Sequence, residues 1–146
     1  MTDAPTGPHA RNGSDEYKEK LRRVIAERGL AGLANHTKWN ELIEAMRALP
    51  DWRPSYRYKN VEGYISRWDV EWFYHLPFPF MCVEWMDIGL MTQRHQGRLV
   101  PPEIIDQSEL IVPHLDAIGF DYEVAQDTAR IWGYAPESRE GFPPQD

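Results

Sequence analysis

The stretch G-Y-I-S-R-W-D-V-E-W-F-Y-H-L-P-F-P-F-M-C-V-E-W-M-D-I, Gly63 to Ile88, decides how this chain folds. It holds three of the six tryptophans, two of the seven tyrosines and three of the five phenylalanines, so no other stretch can bury as much apolar area. Tyr64, Ile65, Trp72, Phe73, Tyr74 and Val83 suit a pleated, half-buried surface. The spacing predicts two short strands, Tyr64–Arg67 and Glu71–Tyr74, joined as a hairpin through Trp68-Asp69-Val70. Asp69 is a natural turn residue, because its carboxylate can accept from a nearby backbone amide. Pro77 and Pro79 cannot donate to a ladder and end the second strand. Met81–Ile88 reads as a third strand, with Met81, Val83 and Trp85 on one face and Cys82, Glu84 and Met86 on the other.

Toward the N-terminus, Ser55–Lys59 alternates Tyr56 and Tyr58 with Ser55, Arg57 and Lys59, the pattern of a strand with one wet face. Ahead of it lie two helices. The first has Ser14 as N-cap, Asp15 and Glu16 in its first turn, a stripe of Tyr17, Leu21, Val24 and Ile25, and Gly29 as its stop. The second starts at Thr37, carries Trp39, Leu42, Ile43, Met46 and Leu49 on one stripe, and ends at Pro50. Toward the C-terminus, Gly89–Val100 reads as a loop or ragged hairpin. Pro101-Pro102-Glu103 looks like the entrance of a helix running to Gly119, kinked or split by Pro113. Tyr122–Val124 and Ala129–Tyr134 follow as strands. The expected architecture is α+β, a mainly antiparallel sheet of about five to six strands with helices packed on one side. One domain is expected over residues 14–134, between a disordered tail 1–13 and a loose tail 135–146.

Composition narrows the function. A single Cys82 excludes an internal disulfide framework and fits a reducing cytosol. No apolar run nears the ~18 residues of a membrane span, and the first residues lack the basic and apolar blocks of a signal peptide. The net charge of −7 is uneven. Residues 100–146 carry only Arg130 and Arg139 against ten acids, while the first 99 residues are nearly balanced. Nucleic acid is disfavoured as a partner, because phosphate binding needs clustered cations. A basic protein surface is favoured, although an acidic surface can serve solubility alone.

No catalytic signature stands out. His9, His36, His75, His95 and His114 are scattered singly, with no H-E-x-x-H and no C-x-x-C, so neither a metal nor another cofactor is expected. Cys82 with His75 could form a nucleophile–base pair, but a thiol in an apolar strand is ordinarily structural. Asp69, Glu71, Glu84 and Asp87 stand among rings. Carboxylates so placed could perform acid–base chemistry on a sugar, or pair with Arg57 and Arg67 on neighbouring strands. Exposed Trp and Tyr beside acids also describe a protein-binding hot spot.

The runs Thr37-Lys38-Trp39-Asn40-Glu41-Leu42, Trp68-Asp69-Val70-Glu71-Trp72-Phe73-Tyr74-His75, Glu84-Trp85 and Ile131-Trp132-Gly133-Tyr134 resemble a family of small bacterial proteins of unknown function. Its core reads T-K-W-x-x-L, W-D-G-E-W-F-Y-H, I-E-W and I-W/Y-G-Y. Val70 stands where that family has Gly. The resemblance implies no catalytic residue. In type alone, small acidic domains of this kind resemble immunity proteins encoded beside secreted bacterial toxins. The expected function is therefore a non-enzymatic, cytosolic protein-binding domain that blocks a basic toxin domain. The alternatives are a hydrolase or carbohydrate-active domain using Glu71, Glu84 or Asp87, and a small-molecule-binding domain. The expected partner contacts are Trp68, Asp69, Glu71, Trp72, His75, Glu84, Asp87, Asp116, Asp121 and Glu123.

Overall fold

In a computed structural model, residues 14–136 and 142 are described. The expected tail 1–13 and most of the tail 135–146 lie outside them. Within the latter, the Ala135 amide donates to Ala31 O at 2.8 Å, and the Phe142 ring lies 4.9 Å from the Arg130 guanidinium.

The fold is α+β. Helices α1 (Asp15–Arg28), α2 (His36–Arg47) and α3 (Ser108–Ile118) accompany six antiparallel strands. The strands do not form one sheet. β1 (Tyr56–Asn60), β2 (Val83–Gly89), β5 (Tyr122–Ala125) and β6 (Thr128–Trp132) make a four-stranded sheet in the order β1-β2-β6-β5. β3 (Met91–Arg94) and β4 (Glu103–Asp106) make a separate hairpin.

Ser14 caps α1 by accepting from the Tyr17 amide, and Gly29 ends it at φ 66°. The cap of α2 is Asn35, which accepts from the Lys38 amide, rather than Thr37. The start two residues earlier takes His36 into the helix, its ring 5.4 Å from Phe80. The helix expected at Pro101 begins only at Ser108. Ile104 and Ile105, both β-branched, extend as β4 against β3, and Asp106 Oδ1 then accepts from the Ser108 amide to open the helix. Pro113 does not split α3, which runs unbroken to the left-handed Gly119.

The two strands expected at 64–67 and 71–74 are absent. Residues 64–69 instead run as an irregular ribbon along the outer edge of β1, touching it at the isolated bridges Lys59–Ile65 and Tyr56–Asp69. Two side chains take the place of ladder partners. Ser66 Oγ accepts the Tyr58 amide at 2.9 Å, while the Ser66 amide donates to Tyr58 O. One oxygen of Glu71 accepts the amides of Phe73, Tyr74 and His75 at 3.2, 2.6 and 2.8 Å, curling that segment into a turn. Val70 fits without a left-handed backbone, since Gln126 is the one non-glycine residue with positive φ among those described.

One face of the main sheet carries Tyr56, Ile88 and Ala129 in one cross-strand row and Tyr58, Met86 and Ile131 in the next. All three helices contribute to the core on this face, through Leu21, through Trp39, Leu42, Ile43 and Met46, and through Ile111 and Leu115. The opposite face, expected to be wet, holds a buried ionic row. Arg57, Asp87 and Arg130 stand side by side on β1, β2 and β6. Asp87 accepts from Arg130 Nε at 2.6 Å and Nη2 at 2.9 Å, and from Arg57 Nε at 3.0 Å. Neither Asp87 nor Arg130 has any exposed side-chain surface. The Arg130 guanidinium lies 3.5 Å from the centre of the Trp85 ring.

Removing the shared carboxylate leaves a buried guanidinium without its counter-charge. Asp87→Ala is expected to lower the unfolding free energy in urea by about 3–5 kcal/mol. A loss under about 1 kcal/mol would show that the row does not hold the three strands together.

Candidate functional site

The ribbon and the turn after it gather the conspicuous run Trp68–His75 at the β1 edge of the sheet. Asp69 is its hub. Oδ1 accepts the Val70 and Glu71 amides at 2.7 and 3.0 Å, an Asx turn. Oδ2 meets His75 Nδ1 at 2.8 Å. Burial pulls the Asp69 carboxyl upward, but the bonds from His75 and the two amides prevail and hold it below its usual range. Burial likewise opposes the three amides on Glu71, and again the amides prevail. The hydrogen bond and charge of Asp69 push His75 above its ordinary 6.5. The arrangement holds an exposed imidazole through its Nδ1, as a carboxylate does for a general base.

A cavity of about 230 Å³ opens beside this pair, lined by Tyr56, Tyr58, Tyr64, Ser66, Arg67, Asp69 and His75. The same ribbon and turn present Tyr64, Ile65, Trp68, Val70, Phe73 and Tyr74 to solvent. Arginines from other elements support these rings. Arg47 and Arg53 lie 4.9 and 5.4 Å from the Phe73 ring, and Arg57 lies 5.2 Å from Trp68. Arg47 Nε also donates to Trp72 O at 2.8 Å, anchoring the turn to α2.

The ten residues expected to contact a partner fall into three groups. Trp68, Asp69, Glu71 and His75 come together at the ribbon. Trp72, Glu84 and Asp87 are inside. Trp72 is fully buried, its Nε1 donating to Pro54 O at 2.9 Å and its ring 4.6 Å from Tyr56. Glu84 receives both Arg28 nitrogens at 2.8 and 3.0 Å on the opposite face of β2 from Asp87. Asp116, Asp121 and Glu123 lie at the β5 side, across the four-stranded sheet from the ribbon. Asp116 accepts from the Tyr122 hydroxyl there. Glu71, Glu84 and Asp87, the carboxylates considered for sugar chemistry, therefore sit in three different settings, each already engaged by amides or arginines.

Cys82 is buried and its thiol is pushed up to about 12, chiefly by burial, which does not suit a nucleophile. Among the described residues no group of three His, Cys, Asp or Glu could hold a metal, and no helix is long and apolar enough to cross a membrane. The sequence reading missed Arg47, Arg53, Tyr58 and Ser66 as parts of this site, and named Arg67 only as a counter-charge for the carboxylates. Only Ser66 carried a local signal, as a hydroxyl following Tyr64 and Ile65.

Residues 21–138 match a family of unknown function, DUF6678, and the chain belongs to it. No curated protein and no solved structure gives a significant match.

The His75–Asp69 pair has a definite pH signature. The raised folded-state value means that its ionic contribution is present below the unfolded histidine's ~6.5 and is lost as pH rises through the folded value. At the acid end it is lost as pH falls through the depressed Asp69 value. Asp69→Asn keeps an acceptor for the two amides. It should lower the His75 midpoint in an NMR titration, and the melting-temperature gap to wild type should narrow as pH rises past that midpoint. An unchanged His75 midpoint would break the assignment.

Proposed function

We propose that this family member is a protein-binding domain whose contact surface is the ribbon from Tyr64 to His75. The observation that carries the reading is where apolar surface is left in water. Of eleven exposed large apolar side chains among the described residues, six lie within Tyr64–Tyr74. Tyr74 is 70 % and Val70 64 % exposed, although Trp72 between them is fully buried. Large apolar side chains left in water along one short segment ordinarily mark a contact surface. The patch is held in shape before any partner arrives, because Asp69 and Glu71 fix five backbone amides between them. Prior ordering lowers the entropy lost on association. The rings of the ribbon already carry the chain's own arginines, so this patch favours an apolar or acidic partner surface.

A second surface favours a basic partner. Asp106, Glu109, Asp116, Asp121 and Asp127 are exposed, and Arg130, the one Lys or Arg among described residues 100–136, is buried. Blocking a basic toxin domain, as immunity proteins do, is the role consistent with such a face.

The two surfaces separate experimentally. Tyr64→Ser, Val70→Ser and Tyr74→Ser together should leave the circular dichroism spectrum unchanged. The same triple change should weaken capture of a cognate protein by at least ~2 kcal/mol, the loss typical of one hot-spot residue. If instead binding survives the ribbon variant but falls steeply with salt and with Asp116→Asn plus Asp121→Asn, the acidic face is the contact surface. Retention of the same proteins by all variants would sink both.

A further inference from the structure

The cavity between the ribbon and β1 has a one-sided chemistry. Both oxygens of Asp69 are taken, one by the Val70 and Glu71 amides and one by His75. The Ser66 hydroxyl is taken by the Tyr58 amide and the Arg67 carbonyl. The Tyr56 hydroxyl donates to Glu71 O at 2.7 Å. What remains can donate: the Arg67 guanidinium, Nε2 of His75 when the ring is protonated, and the hydroxyls of Tyr58 and Tyr64. Burial pushes the Tyr58 phenol up to about 12, so it stays a neutral donor.

The rings add shape. Tyr58 and Tyr64 meet edge to face, their centres 6.2 Å apart and their planes at 64°. They form an angled apolar wall beside the two cationic groups. At about 230 Å³ the space lies below the ~300 Å³ at which pockets for drug-sized ligands begin, so it suits one ring and its substituent.

We propose that this cavity binds a small planar anion, a single aromatic ring bearing a carboxylate or phosphate. The anionic group would sit on Arg67 and His75, and the ring against Tyr58 and Tyr64. A guanidinium matches either oxyanion geometry, and edge-to-face packing favours a flat ring over an aliphatic chain. The cavity shares Tyr64, Arg67 and His75 with the proposed contact surface, but its ligand is a free small molecule, so its test does not depend on a protein partner.

His75 makes the affinity depend on pH. The charged groups facing it are Arg67 and Asp69 from the ribbon and Glu71 from the turn; the ribbon also contributes the phenol of Tyr64, and β1 those of Tyr56 and Tyr58. With His75 protonated, Arg67 and His75 balance the charges of Asp69 and Glu71; with His75 neutral the same four groups carry one net negative charge, which disfavours an anion.

The test uses the intact protein, with benzoate and phenyl phosphate as probes and acetate and inorganic phosphate as ring-free controls, followed by NMR at the His75 ring. Saturable shifts with at least one aryl probe are expected near pH 6, several-fold weaker near pH 9. Arg67→Gln, a change at an exposed side chain, should weaken binding about tenfold or more. Three results would overturn the proposal: no saturable shift with either aryl probe up to about 10 mM, equal binding of the ring-free controls, or affinity unaffected by Arg67→Gln.

Discussion

Asp87 is the constraint around which this fold is arranged. Its two oxygens reach across three adjacent strands, to Arg57 on β1 and to Arg130 on β6. A carboxylate removed from water needs both a counter-charge and full hydrogen bonding, and the register that supplies them is unique. Slip β6 by one residue and Arg130 moves to the face occupied by Ile131 and Met86. The ionic row therefore fixes which residues look toward the helices, and the apolar core follows. Trp85 covers Arg130 at 3.5 Å and completes its desolvation.

Much of this was legible in the sequence, for physical reasons that can be named. The stripes of α1 and α2 repeat at helical spacing, and Ser14, Gly29 and Gly119 mark ends where backbone groups need a cap or a left-handed residue. β1, β5 and β6 announce themselves by ring and β-branched content. What failed was the reading of polar residues inside apolar runs. Ser66 and Glu71 look like wet-face members of alternating strands. Instead each side chain competes with the neighbouring strand for backbone amides, and Glu71 wins three of them. Period-2 patterning has no entry for a side chain that replaces a strand.

The site was half legible. Trp68, Asp69, Glu71 and His75 were marked by their density in one run, and they do assemble. Glu84 and Asp87 bore the same sequence character, yet they lie inside, because only the partner strands and α1 reveal that arginines await them. The arginines of the ribbon were illegible for the opposite reason. Arg47, Arg53 and Arg57 come from α2, the following loop and β1, and nothing local ties them to Phe73 or Trp68. Ion pairs and ring stacking are long-range facts; helix caps are local ones.

The position of the ribbon has a further consequence. The outer strand of an open sheet exposes a row of unsatisfied amides and carbonyls that can recruit a second molecule into a continuous, aggregating sheet. Along β1 the amides of Tyr56, Tyr58 and Asn60 are instead consumed by Asp69 O, Ser66 Oγ and Tyr64 O. The exposed rings thus ride on the segment that covers the open edge of the sheet. A substitution that loosens this ribbon would therefore uncover those three amides at the same time as it displaces the rings.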